Sequence, residues 1–216
     1  MVADSFFHLL FISVVALFPV VNPIGTALIV NPYLSQLEES HKKSAVNKIT
    51  IYAFAICVFC LFAGHFILKI FGISIPVIQL AGGIMICKTG WEWLTSDKTS
   101  ASFKSNSSSE VKVSIDDKLF YPITFPITTG AGTISVLFTL GAQSETENFE
   151  NYLLNTGAIL VAIIIMCILI RIFYVNTDVI LKYLGSHSEN IVNRLMAFLL
   201  FCVGLQIAVT GVKALL

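Results

Sequence analysis

Six apolar stretches recur along the chain, at about 6–33, 45–67, 74–94, 119–141, 152–173 and 191–213, separated by short polar connections. Most are close to the ~20 residues that a helix needs to cross a hydrocarbon core of ~30 Å. This recurrence constrains the fold more than any other feature. In lipid every backbone N–H and C=O must be paired inside the protein, so runs of this length cross as helices. Composition agrees: 56% of the 216 residues are hydrophobic and only 12% are charged, against about 25% charged in an ordinary soluble domain. Too little polar surface is left to coat a globule in water, and lipid is the expected solvent. The predicted class is all-α, a polytopic membrane protein with six transmembrane spans.

The one long polar stretch, "SDKTSASFKSNSSSEVKVSIDDK", occupies residues 96–118 and reads as a flexible linker. It divides the chain into a first three-span unit, 1–95, and a second, 119–216. No Lys or Arg precedes the first apolar run, whereas Asp4 does, and no small-residue cleavage site follows; the run is expected to be a retained span and not a signal peptide. Lys and Arg set the orientation. The connections after spans one, three and five hold eleven of them, from Lys42 to Arg194, and the opposite side holds only Lys69 and Lys213. The positive-inside rule therefore puts both termini outside. That orientation leaves the glycosylation sequon Asn106-Ser107-Ser108 on the cytoplasmic side, where it has no use. The net charge is zero, so nothing points to nucleic acid as a partner.

The first apolar stretch is too long for one straight crossing: about 28 residues at 1.5 Å each make roughly 40 Å. It also carries Pro19, Asn22, Pro23 and Gly25 at its centre. The fourth stretch has a matching interruption. "PVVNPIGTALIV" from Pro19 and "PITTGAGTISVL" from Pro126 share proline, glycine and threonine at identical spacing, pairing Gly25 with Gly132 and Thr26 with Thr133. Asn22-Pro23 aligns with Thr129-Gly130. Both interruptions lie in the first span of a three-span unit. A unit with an odd number of spans enters the membrane from the opposite face in its second copy, so the two units form inverted repeats with broken first and fourth spans. Paired Gly/Pro breaks of this kind mark a transporter's binding site. Asn22 is a good helix N-cap and Pro23 suits the first helical position. Thr129 is expected to cap the second half-helix, with Gly130 and Gly132 letting backbone approach a ligand. A helix beginning inside the membrane offers free N–H groups and a positive dipole end, which suit a carboxylate. Bare backbone is tolerated there only if it lines a cavity, so the two breaks should share one.

"NPIGT" from Asn22 and "FPITTGAGTIS" from Phe125, with six spans in about two hundred residues, resemble the MarC family of bacterial inner-membrane proteins, over essentially the whole chain. The resemblance implies a carrier of small neutral amino acids such as glycine, alanine and serine. It implies that Asn22, Pro23, Gly25 and Thr26, with Thr128, Thr129, Gly130, Gly132 and Thr133, form the substrate site. The residues support part of this: amides at a half-helix start hold a carboxylate, and Thr and Asn oxygens or unwound carbonyls take an ammonium.

Other polar features read more plainly. Cys57-Val58-Phe59-Cys60 has the spacing of a thiol oxidoreductase, but all five cysteines fall in apolar runs, where they behave as small hydrophobes. Histidines 8, 41, 65 and 187 show no metal spacing. Glu92, between Trp91 and Trp93, reads as a solvated flank beside an aromatic belt. Gln79 and Gln206 need partners inside the bundle, and Gly82-Gly83 allows close helix contact. No acidic residue sits at the middle of a span, so coupling to H+, coupling to Na+ and simple facilitation all stay open. The expected function is secondary transport of small neutral amino acids by alternating access, with a passive channel for small polar solutes and an intramembrane thiol oxidoreductase as alternatives. No enzyme activity, cofactor or metal is expected, and the oligomeric state is not legible.

Overall fold

A computed structural model describes residues 2–95, 118–144 and 148–216, and among these every regular element is a helix. The expected linker, apart from Lys118, lies outside the described residues. In chain order the elements are α1 (Val2–Val21), α2 (Pro23–Leu34), α3 (Glu39–Phe71), α4 (Ile75–Thr95), α5 (Leu119–Thr128), α6 (Ala131–Gln143), α7 (Phe149–Val175) and α8 (Thr177–Leu215). Four stretches are long and apolar enough to cross a membrane, Phe6–Leu34, Glu39–Gly64, Phe149–Val175 and Arg194–Leu215, and the bent pair α5–α6 makes a fifth. The expected third span coincides with α4, a helix of 21 residues. With Gln79, Lys88 and Glu92 along it, α4 is not among the stretches apolar enough to cross by that measure.

The centre of the bundle is made by α3 and α7. Val46, Ile49, Ala53, Cys57 and Cys60 recur at helical spacing on one face of α3, and Ile159, Ile163, Met166, Ile170 and Tyr174 on one face of α7. Cys57 and Cys60 are free thiols packed in this core, 6% and 4% exposed. The outer surface is as apolar as the inside: Phe59, Phe66, Ile70, Phe71 and Ile84 are all exposed. A surface of this kind suits lipid and not water.

Lipid removes the hydrophobic drive between helices, so close van der Waals approach has to hold the bundle together. Helices α4 and α8 show how. A Cβ on Gly204 would stand 2.6 Å from the Cys87 amide nitrogen and 2.9 Å from the Gly83 carbonyl oxygen. One on Gly83 would stand 2.5 Å from the Ala208 nitrogen, and one on Gly90 2.7 Å from the Phe201 nitrogen. The two backbones therefore touch along much of their length. The Gly82-Gly83 pair does bring helices together, and with two partners: at Gly82 the space belongs to the Ser135 side chain of α6, whose hydroxyl donates to the Ile78 carbonyl at 3.0 Å. Gln79 is buried, but Gln206 is exposed on the outside of α8 and is not held inside the bundle. Its helical position, two residues beyond Gly204, turns it off the face that meets α4.

At the α3–α8 end, Lys42 is almost fully buried and its ammonium pairs with Asp178 in the first turn of α8. A left-handed Gly72 (φ 63°) ends α3 and lets the chain reverse into α4.

Gly204→Ala should destabilise the protein by roughly 1–3 kcal/mol, because backbone occupies the space its methyl needs. Gly157→Ala, in α7 with nothing within 4 Å of the added carbon, should stabilise by about 0.5–1 kcal/mol through helix propensity alone. Thermal unfolding of the two variants in detergent compares them directly.

Candidate functional site

The first break is compact. Asn22 adopts a left-handed backbone (φ 45°, ψ 62°), which asparagine tolerates better than other residues with a side chain. It caps α2 as its sequence suggests: its Oδ1 accepts from the Gly25 amide at 3.1 Å, with Pro23 next to it at the first helical position. The Thr26 hydroxyl donates back to the Asn22 carbonyl at 2.9 Å. Gly25 is needed because the Asn22 carboxamide lies where a side chain would go, 2.4 Å from the site of a Cβ. The chain nevertheless runs on as one 29-residue span, Phe6–Leu34. The break is a left-handed hitch and not a sharp bend, since one capped residue is enough to restore the hydrogen-bond ladder.

The second break is of another kind. In "YPITFPITTG" the residues before the prolines, Tyr121 and Phe125, have extended backbones (φ −122°, ψ 123° and φ −120°, ψ 124°), and the bonds joining them to Pro122 and Pro126 are cis. The turns of α5 are correspondingly wide, and threonine hydroxyls close them. Thr124 donates to the Leu119 carbonyl at 2.7 Å, Thr128 to Ile123 at 2.8 Å and Thr129 to Thr124 at 2.9 Å, each five residues back. Thr129 is thus spent on α5 and does not cap α6. The N-cap is Gly130, one residue later than the sequence alignment of the two breaks implies, and no side chain caps it. Helix α6 leaves α5 at 64°.

A cavity of about 220 Å³ lies where the two breaks come together. Thr26 lines it from the first break, and Gly130, Ala131, Gly132 and Thr133 from the second. The expectation of a shared cavity therefore matches the geometry. Gly132 brings α6 against α1 and α4, because a Cβ there would meet Ile86 at 2.5 Å and Val20 at 2.9 Å. The first amides of a helix have no acceptor within it, and among the described residues those of Ala131, Gly132 and Thr133 meet none outside it. The Thr133 hydroxyl is also buried, 1% exposed, and without a partner. Unpaired buried donors are rare in native proteins and call for an explanation. The buried Thr133 hydroxyl and the first amides of α6, with Ala131 exposed, stand together beside the cavity at the positive end of a helix dipole, an arrangement suited to a small anionic group.

Asn22, Pro23, Gly25, Thr128 and Thr129 do not line the cavity but shape its walls. The Asn22 Nδ2, like the Thr133 hydroxyl, is buried without a partner. Two participants escape a reading of the sequence. Tyr174 of α7 is fully buried and its hydroxyl stands 2.8 Å from that of Thr128, so a phenol from a helix that belongs to neither break anchors the end of α5. Its signal in the sequence, a tyrosine at the end of an otherwise aliphatic run, also fits an aromatic belt. Glu92 and Trp93, which read as interface residues, line the cavity.

The sequence model of one family, described as MarC family integral membrane protein, matches residues 7–216. Among curated proteins, the chain is similar to the inner membrane protein MarC of Escherichia coli strain K12 and to that of Shigella flexneri. Each is 26% identical over 208 residues, covering 93% of this chain and 92% of the relative. No solved structure matches.

Tyr174→Phe keeps the ring and removes only the hydroxyl that bonds Thr128, and should lower stability by roughly 0.5–1.5 kcal/mol. Thr128→Val should cost more, because it also takes the hydroxyl donor from the Ile123 carbonyl, and the double variant should fall short of the sum of the two by the hydrogen bond they share. A double-mutant cycle on thermal unfolding in detergent measures the coupling.

Proposed function

Since the chain belongs to the MarC family of integral membrane proteins, we propose that it is a secondary transporter of small neutral amino acids, of the glycine, alanine and serine class, working by alternating access in an inner membrane. The observation that carries this reading is the amino end of α6. It presents unpaired amides and the unpartnered Thr133 hydroxyl to a cavity inside the spans. Water alone is a poor reason to keep such a group of donors in a membrane, where each unpaired polar group is costly. A substrate carboxylate satisfies several of them at once, through charge-assisted hydrogen bonds.

Size supports a small substrate. The cavity, about 220 Å³, is below the ~300–1,000 Å³ of pockets for drug-sized ligands. Its walls are Val20, Ile86 and Ile127 alongside glycine and threonine, with little room for a long side chain. In this reading α4 is the third of six spans: Gln79 is buried against its neighbours, and the exposed Lys88 and Glu92 sit in its last two turns, where long side chains reach the membrane surface. Two inverted units, 1–95 and 119–216, then carry one break each, and both termini lie outside. Rocking of the units about the shared cavity opens it alternately to either side.

Proteoliposomes test the reading. Labelled glycine should accumulate transiently against excess internal unlabelled alanine, which a carrier supports and a channel does not. Thr133→Val, of nearly the same shape, should weaken uptake at least about tenfold, as loss of a hydrogen bond to a charged group implies. Equal uptake by wild type and Thr133→Val would remove the site, and uptake without counterflow would favour the channel.

A further inference from the structure

We propose that Glu92 is the second pole of the site: its carboxylate receives the substrate's ammonium group while the amino end of α6 holds the carboxylate. This rests on the amino-acid reading above and deepens it: neutral Thr and Asn oxygens or unwound carbonyls are the acceptors the sequence offers an ammonium, and Glu92 adds a charged one.

Glu92 is the one ionisable residue among those lining the cavity. Its position follows from the way α4 and α6 pack. Gly82 of α4 is level with Ser135 of α6, and Ile86 is level with Gly132. Moving four residues toward the carboxyl end of α4 therefore moves three residues toward the amino end of α6, so the two helices are antiparallel. Beyond Gly132, α6 ends while α4 continues. Glu92 is six residues past Ile86, about 9 Å further along the axis, ahead of the end from which the free amides point. Side chains on a helix lean toward its amino end, so the Glu92 side chain leans back toward the level of Gly132, at the rim of the cavity it lines.

An α-amino acid carries its two charges roughly 3 Å apart, and a hydrogen bond at each end adds about 2.9 Å, so such a molecule bridges amides and a carboxylate that stand about 9 Å apart. The partner that Glu92 already has does not compete strongly. Lys88 stands 3.9 Å away, with both side chains more than half exposed, and ion pairs of that kind are weak. A positive helix end facing a carboxylate across a small cavity selects molecules with both charges. An acid lacking the ammonium is repelled by Glu92, and an amine lacking the carboxylate leaves the amides of α6 bare. The Thr133 hydroxyl, unpartnered and 1% exposed, is the independent sign that a ligand completes the α6 end.

Trp93 lines the same cavity and is one of two tryptophans in the chain, so in a Trp91→Phe background its fluorescence reports occupancy. Titrating the purified protein in detergent with L-alanine and L-lactate isolates the ammonium, since the two share carboxylate and methyl group. Alanine is expected to bind at least tenfold more tightly than lactate. Glu92→Gln should weaken alanine at least tenfold, leave lactate unchanged or tighter, and abolish the preference, while Glu92→Asp keeps most of it. Calorimetry gives the same comparison without the tryptophan. If Glu92→Gln binds alanine like wild type while Thr133→Val does not, Glu92 is not the pole and the α6 site stands. If both variants bind like wild type, the site reading and this one fall together. Equal weakening of alanine and lactate by Glu92→Gln also overturns the proposal, because it would mark a structural effect and not recognition of the ammonium.

Discussion

A backbone amide or carbonyl inside a bilayer has no water to fall back on, and the whole architecture follows from how this chain meets that demand at its prolines. Each proline deletes a donor and disturbs the ladder around it. Pro19, Pro23, Pro122 and Pro126 all fall within spans. Threonine hydroxyls add bonds to carbonyls beside the breaks: Thr26 on Asn22, Thr124 on Leu119, Thr128 on Ile123 and Thr129 on Thr124. The first turn of α6 has no side-chain cap, and its Thr133 hydroxyl is left unpartnered at the cavity.

The two breaks are not equivalent, although their sequences align. The first has a side-chain cap and stays in line, and the second has none and bends by 64°. A capped, in-line break contributes a wall and a hydroxyl, Thr26. An uncapped, bent one contributes free amides. Tyr174 anchors the second break through Thr128, and the backbone contact of α4 with α8 fixes the wall that carries Glu92. Small residues do this positioning, because in lipid only close approach, and not exclusion of water, distinguishes one helix packing from another.

Much of this was legible in the sequence, for reasons that differ by residue. Hydropathy located the apolar runs because lipid imposes a length on them. The Asn22 cap and Pro23 were legible because capping is local chemistry, settled within four residues. The Thr129 cap was misassigned because a tandem of Xaa-Pro-Ile-Thr shifts the helix start by one residue, and a threonine can as easily bond backward as forward. Tyr174 and Glu92 were out of reach in principle: each joins the site through a helix distant in sequence, and nothing near it in the chain marks it. Residues 75–95 form a helix where the third apolar run lies, yet Gln79, Lys88 and Glu92 lower its apolarity, and of these three Glu92 borders the cavity.

The central claim is that the amino end of α6 is open to a water-filled cavity within the membrane. Ala131, exposed and lining the cavity, provides the most direct measurement. In a version of the protein freed of its natural cysteines, Ala131→Cys should react with a small charged thiol reagent, and L-alanine should slow that reaction. Leu137→Cys, on the same helix but fully buried, should remain unlabelled. Failure of Ala131→Cys to react, or labelling at the same rate with and without alanine, would contradict the account.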